Sequence, residues 1–278
     1  MSKEKRTSRL VFWYVLMAIL LLFALFPIYW MFVTSFKPFG EVYLLTPKLW
    51  PGRFEWKNYI DIFTRYNYGV ALENSIKVSL AVSVISILVA IFSAYCVIRL
   101  RFRGRRIVPH LILFSYLIPR TILFIPVYIL VYRLGLGNSI WGLLLTYPTI
   151  TIPYATWILI TYFQSFPFEV EEAAWVDGAS RIQALFRIIL PISLPSIIST
   201  FIFSFTLCWS EYIYALVMIN TKAQKTITLA LSDMLVADII PWGPLMAGAV
   251  IAALPAIIIY NLASRYIVSG LSLGAVKG

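Results

Sequence analysis

Glu172-Ala173-Ala174-Trp175-Val176-Asp177-Gly178-Ala179-Ser180-Arg181-Ile182-Gln183-Ala184-Leu185-Phe186-Arg187-Ile188-Ile189-Leu190-Pro191 is a polar, helix-forming stretch between two long apolar blocks. Just upstream, Ser165 is placed to cap a helix, with Pro167 near the first turn, where its missing N–H costs little. Glu169, Glu171 and Glu172 then fall where the helix dipole favours negative charge. Ala173 and Ala174 favour helix and keep the surface low, so a partner can approach closely. Gly178 follows Asp177 and is placed to break the helix, since glycine takes positive φ without strain. Ser180 and Gln183 have capping-box spacing for a second short helix. Ile182, Leu185, Phe186 and Ile189 recur at helical spacing and give that helix one apolar face, which Pro191 closes. The expectation is two short helices joined by a glycine elbow. Such a segment either docks onto something at the membrane surface or lies on the bilayer as an amphipathic helix.

The flanking blocks set the class. Of 278 residues, 61% are hydrophobic and 13% are charged, against about 25% charged in soluble domains. A soluble fold would leave much of this apolar surface without a core to enter, so the chain reads as an all-α, polytopic membrane protein. Six spans are expected, at 11–36, 75–98, 107–134, 140–163, 192–220 and 244–268. Each is long enough to cross about 30 Å of hydrocarbon at about 1.5 Å per residue. The first is too long for a signal peptide, holds Pro27 and lacks a small-x-small cleavage site, so it reads as an uncleaved helix. The organisation is then a tail at 1–10, a six-helix domain at 11–268 that includes a loop at 164–191 between spans four and five, and a tail at 269–278.

Basic residues set the orientation. Lys3, Lys5, Arg6 and Arg9 precede the first span, and Arg99, Arg101, Arg103, Arg105 and Arg106 crowd the loop after the second. Dense basic flanks belong on the cytoplasmic side, which puts both termini and the Glu172–Pro191 stretch inside. This placement also accounts for the net charge of +11 without nucleic acid. The connection 37–74 falls outside and is rich in rings, among them Trp50, Phe54, Trp56, Tyr59, Phe63 and Tyr66. These form either an interfacial belt at headgroup depth or a landing surface for an external partner.

Chemistry inside the spans is sparse. Arg120 falls near the middle of the third span and Glu211 in the outer half of the fifth. Charge in a membrane is expensive, so each is a candidate functional residue. Glu211 lies in Trp209-Ser210-Glu211-Tyr212. A carboxylate can hydrogen-bond hydroxyls, and indole and phenol rings can stack on sugar C–H faces. Trp209, Glu211, Tyr212 and Arg120 therefore form a candidate solute path, or else polar contacts between helices. Glu211 and Arg120 could also pair with each other. His110 is the sole histidine, and Cys96 and Cys208 fall in apolar spans, so no metal-ligand spacing and no catalytic set is found.

The pattern Glu-Ala-Ala, three residues, Gly178, nine residues, Ile188 and Leu190-Pro191 closely resembles the loop of binding-protein-dependent ABC importer permeases. Pro27-Ile28-Tyr29, Thr34-Ser35-Phe36-Lys37, Asn74-Ser75, Pro119 with Pro126, and the ending Ser269-Gly270-Leu271 to Gly278 are similar to the carbohydrate, maltose-permease-like branch. The resemblance implies a subunit that moves a sugar or sugar-like solute across the cytoplasmic membrane. Its implied partners are an ATPase dimer, a second and different permease, an extracytoplasmic solute-binding protein and membrane lipid. Glu172, Ala173, Ala174, Asp177 and Gly178 would form the coupling helix. ATP and Mg would be held by the ATPase, since this chain has no Gly-rich phosphate loop ending in Lys-Ser or Lys-Thr. A secondary carrier for a small polar solute is the alternative, for which internal repeats or discontinuous spans are expected.

The orientation is testable by labelling. In a background with Cys96 and Cys208 replaced, a cysteine at Gly52 should react from outside, and one at Gly104 only after permeabilisation. The reverse pattern would invert the topology and put the Glu-Ala-Ala loop where no ATPase exists.

Overall fold

A computed structural model describes residues 3–236 and 238–275, with side chains at 10–236 and 238–262. The helices are α1 (Lys3–Ser35), α2 (Phe39–Val42), α3 (Lys57–Thr64), α4 (Tyr68–Arg99), α5 (Val108–Leu117), α6 (Arg120–Arg133) and α7 (Ile140–Thr146). There follow α8 (Pro148–Gln164), α9 (Glu169–Val176), α10 (Arg181–Ala184), α11 (Leu190–Trp209), α12 (Ile213–Met218), α13 (Ile227–Asp233) and α14 (Trp242–Ala275). Among the described residues, five helical stretches are long and apolar enough to cross a membrane, and a bent pair makes the sixth. The basic flank placed in the tail at 1–10 is helical from Lys3 and continuous with α1. The tail at 269–278 continues α14 as far as Ala275, and its last three residues lie outside the described set.

The chain divides into two compact units, of which the first comprises 1–68 and 231–254. In it, α1 exposes its apolar side chains from Leu10 to Ile28 almost without interruption, which suits a span surrounded by lipid. Beyond α1 the chain packs around Phe36, whose ring meets Phe54, Trp56 and Tyr59 at 5.5, 4.9 and 5.0 Å between centroids. The Asn58 amide donates to the carbonyls of Ser35 and Lys37 at 2.9 and 3.0 Å. Ser35 and Tyr59 share a hydroxyl bond of 2.8 Å. Much of the aromatic outer segment thus packs on itself, although Trp50, Phe54, Trp56 and Phe63 remain exposed.

The second unit comprises 69–230 and 255–278. Its spine is α4, which buries Ala71, Ser75, Ser79, Ser83, Ser86, Ala90 and Ala94, close to one per helical turn. Small residues let helices approach, which matters where lipid removes the usual hydrophobic drive. Ser86 and Thr151 use that proximity for a buried hydroxyl bond of 2.6 Å between α4 and α8. One apolar cluster joins Ile91 and Tyr95 of α4 to Leu159 and Phe163 of α8 and to Leu185 and Ile189. A second joins Val78 and Val82 to Val131, Leu143, Tyr147, Tyr214 and Met218.

Two spans depart from expectation. The third is not one straight helix: α5 and α6 meet at 96°. Pro119 disfavours helical geometry at the residue before it, and Ile118 is accordingly extended at φ −64, ψ 127. Arg120 consequently opens α6 at a break and does not lie mid-helix. The fifth span ends at Trp209, short of residue 220, and begins at Arg181. Pro191 does not close the loop helix, because α10, a π turn at Leu185–Ile189 and α11 run on continuously. Proline lacks the N–H of a helical bond, and the wider π turn just before it supplies a backbone already out of regular register. Ser165 caps the end of α8, with its hydroxyl donating to the Tyr162 carbonyl at 2.7 Å, and does not cap the following helix.

The turn into α7 gives a sharp test. A Cβ at Gly142 would stand 2.6 Å from the Leu136 carbonyl oxygen and 3.0 Å from a Val131 methyl. Overpacking of this kind costs about 1–3 kcal/mol. Gly142→Ala should lower the thermal midpoint of the purified protein by several degrees, and an unchanged midpoint would contradict this packing.

Candidate functional site

The loop between α8 and α11 has two faces. Beneath α9, Glu171 is 0% exposed and Ala174 is buried. On the other side Glu172, Ala173, Asp177 and Gly178 are exposed, and Val176 is 87% exposed. The end of α9 is a Schellman motif. Gly178 N–H donates to the Trp175 carbonyl at 3.0 Å and Ala179 N–H to the Ala174 carbonyl at 2.9 Å. This geometry needs a left-handed residue, and Gly178 takes φ +86. No atom lies within 4 Å of where its Cβ would be, so backbone conformation and not space selects glycine. The capping box forms as spaced: Gln183 N–H donates to Ser180 Oγ at 3.3 Å, and Ser180 N–H to Gln183 Oε1 at 2.8 Å.

The apolar face expected of the second loop helix is split. Leu185 and Ile189 enter the core between α4 and α8, whereas Ile182 and Phe186 face outward. The π turn that begins at Leu185 changes the register, so four positions spaced for one α-helical stripe do not share a side. The outer surface therefore mixes carboxylates with bare apolar groups at Val176, Ile182 and Phe186.

The loop is fixed from below by an ion pair that sequence reading missed. Arg99 Nε, at the end of α4, reaches Glu171 Oε2 at 2.9 Å, with both side chains nearly excluded from solvent. The Arg99 guanidinium also donates to the Phe166 carbonyl at 3.4 Å and lies 5.3 Å from the Phe168 ring centroid. Tyr95, one turn earlier, donates to the Arg181 carbonyl at 3.3 Å. Arg181 covers the Trp175 ring at 5.0 Å. In sequence, Arg99 counted only as a topology marker and Glu171 only as dipole-favoured charge. Glu171 and Ala174 share one face of α9 at i, i+3, but that spacing names neither the buried side nor Arg99 as the partner.

The proposed solute-path residues are placed differently from one another. Glu211 is 4% exposed and follows the end of α11. Its two carboxylate oxygens accept the backbone N–H groups of Tyr214 and Ala215 at 3.0 and 3.3 Å, closing the amino end of α12. Trp209 is buried and stacks on Phe205 at 5.5 Å. Tyr212 is half-buried at the start of α12. Arg120 is half-buried and lies in the electrostatic surroundings of Glu211. Among the described residues, no ion pair joins the two. Glu211 is held by backbone donors, and its removal would strand those donors more directly than it would strand Arg120.

The anchor can be tested apart from the exposed face. Breaking a buried pair by removing one partner costs about 3–5 kcal/mol, while replacing both by apolar groups is often neutral. Glu171→Leu alone should destabilise the protein and open 164–191 to limited proteolysis. Glu171→Leu with Arg99→Met should restore most of both. Equal loss in single and double variants would show that the pair does not hold the loop.

Comparison with known proteins fits this arrangement. A family profile described as a binding-protein-dependent transport system inner membrane component matches residues 86–273. The inner membrane ABC transporter permease protein YcjP of Escherichia coli is 34% identical over 280 residues, covering 100% of both chains. The trehalose/maltose transport system permease protein MalG of Thermococcus litoralis is 34% identical, covering 95% of this chain and 94% of its own. The trehalose transport system permease protein SugB of Mycobacterium tuberculosis is 33% identical, covering 97% and 98%. In fold, the chain is similar to one from a bacterial ABC transporter that imports the acidic polysaccharide alginate, with a TM-score of 0.81 at 23% identity over 96% and 99% of the two chains. Broken spans are therefore no mark of a secondary carrier here. The chain belongs to the binding-protein-dependent inner membrane components, as a multi-pass permease subunit of an ABC importer.

Proposed function

We propose that this permease subunit carries a carbohydrate, and that the loop at 164–191 is the element through which an ATPase drives it. The observation that carries the coupling reading is the loop's division into a face bolted to the α4–α8 core and a bare face of acids and apolar groups. Glu172, Ala173, Asp177 and Gly178 lie on the bare face, and Ala174 supports it from below. In the proposed orientation this face is cytoplasmic, where an ATPase dimer closing on ATP would press on it. Such closure shifts the spans only through contacts that differ between the two states. Nucleotide, Mg and hydrolysis belong to that ATPase, and this chain contributes no catalysis of its own. A second, different permease would complete the path, and an extracytoplasmic binding protein would deliver solute. A structural neighbour solved with a pentasaccharide-bound periplasmic protein supports the last partner, at a TM-score of 0.71.

The solute class rests on the relatives. Permeases named for trehalose/maltose, trehalose and diacetylchitobiose are all about a third identical to this chain over nine-tenths of its length or more. The half-buried Tyr212 and Arg120 remain the candidate path contacts, with Trp209 and Glu211 shaping the backbone beside them.

The test is transport by the assembled complex. Gly178→Asp forces a left-handed conformation on a residue that resists it, at about 1–3 kcal/mol, and adds charge to the docking face. Uptake should fall at least tenfold and ATPase co-purification should weaken, with the chain still in the membrane. Wild-type values for both would remove the coupling assignment. ATP-dependent uptake confined to amino acids in a mixed panel would remove the carbohydrate assignment.

A further inference from the structure

The first compact unit holds a cavity of about 210 Å3 that the coupling loop and solute-path residues do not touch. Its walls include Trp30 and Thr34 of α1, Lys37 just past it, Glu41 of α2, and Trp242 and Met246 of α14. Thr34 and Lys37 belong to the Thr34-Ser35-Phe36-Lys37 stretch noted in the sequence. Ser35 and Phe36 are consumed by packing and hydrogen bonds of the outer segment. Thr34 and Lys37 line the cavity.

Each polar wall group keeps hydrogen-bonding capacity to spare. Thr34 is 5% exposed, and its hydroxyl has no partner. A buried hydroxyl without a partner is costly, so one on a residue of a cavity wall favours a ligand that supplies a partner once χ1 turns it inward. Lys37 is 2% exposed, with its ammonium 3.9 Å from the Trp30 ring centroid and one N–H donated to the Lys48 carbonyl at 2.6 Å. An ammonium has three N–H groups, so donor capacity remains. Burial holds this ammonium below the ordinary lysine range, with Glu41 pulling the other way. Glu41 takes Lys48 on one oxygen at 3.1 Å and Gly52 N–H on the other at 3.0 Å. Each oxygen has a second lone pair.

The set contains donors, acceptors and two indoles, and that mixture selects among ligands. A phosphate would meet the Glu41 carboxylate, and a cation would meet Lys37. An acyl chain would leave the Thr34 hydroxyl and the remaining Lys37 N–H groups unsatisfied. A sugar ring satisfies all of them, because its hydroxyls both donate and accept and its C–H faces pack on indole. We propose that this cavity is a carbohydrate subsite at the outer end of α1, taking one ring of the solute. The inference rests on the carbohydrate reading of the permease and adds to it a contact point at the end of α1 and the start of α14.

The experiment uses the full chain in lipid nanodiscs, free of glycoside detergent, with saturation-transfer NMR as the readout. The probes are the methyl glycosides of glucose, galactose and N-acetylglucosamine, with inorganic phosphate as the control. At least one glycoside should bind saturably. Its affinity should fall tenfold or more in Trp242→Leu and threefold or more in Thr34→Val, a near-isosteric change that spares the fold. Binding of no glycoside, unaltered binding in both variants, or binding of phosphate alone would overturn the subsite. Carbohydrate uptake by the wild-type complex, measured in parallel, separates the two claims. Uptake with any of those three results removes the subsite alone, and uptake of no carbohydrate removes the solute class as well.

Discussion

Hydrocarbon offers no hydrogen-bond partner, so each break in a spanning helix has to be closed by the protein itself. The polar residues of the second unit largely serve this end. Where α11 stops at Trp209, Glu211 takes the free N–H groups of α12. Asn138 accepts the N–H groups of Asn220 and Thr221, both at 2.9 Å. Gln224 accepts from Ile140, and Ser75 from Ile227. Asn74 donates to the carbonyls of Ala223 and Lys225. The interrupted segment from 210 to 227 can exist at the edge of the bilayer because side chains from α4 and the α6–α7 connection take over its backbone bonds. Glu211, which looks like a ligand contact in sequence, is here a substitute for missing helix.

This explains which features were legible and which were not. Long apolar runs give spans with little ambiguity, because length and composition alone decide them. The glycine elbow and capping box are local, and local chemistry determines them, so Gly178, Ser180 and Gln183 behave as their spacing requires. Pro119 gave a local warning of the bend in the third span, but proline is tolerated in membrane helices, and nothing in sequence distinguishes a kink from a 96° break. The Glu171–Arg99 pair spans 72 residues and has no local signal. Glu211 was legible as an expensive charge. Its partners were not, because they are backbone groups created by a break that the apolar pattern conceals.

The loop at 164–191 gains its stiffness from being part of the core. Leu185 and Ile189 pack in the same cluster as Ile91, Leu159 and Phe163, and close-packed interiors transmit displacement with little slack. Glu171 and Tyr95 tie the elements on either side of Gly178 to one helix, α4. A force on the exposed face is thereby delivered to α4 and α8 together. The elbow sets the angle between two short helices and leaves neither free.

The π turn at Leu185–Ile189 carries a consequence for how insertions and deletions are tolerated. A turn of this kind holds one residue more than the regular helix on either side of it. Removing that residue is absorbed by reversion to a regular α-helix, whereas removing one from α11 beside it would change the phase of everything upstream by about 100°. Arg181 would swing away from Tyr95, and Glu171 would be drawn off Arg99 behind it. The loop's aim is therefore set by residue count as well as by residue identity. A one-residue deletion within 185–189 should therefore be easier to accommodate than one in α11 beside it, which would redirect the whole exposed face at once.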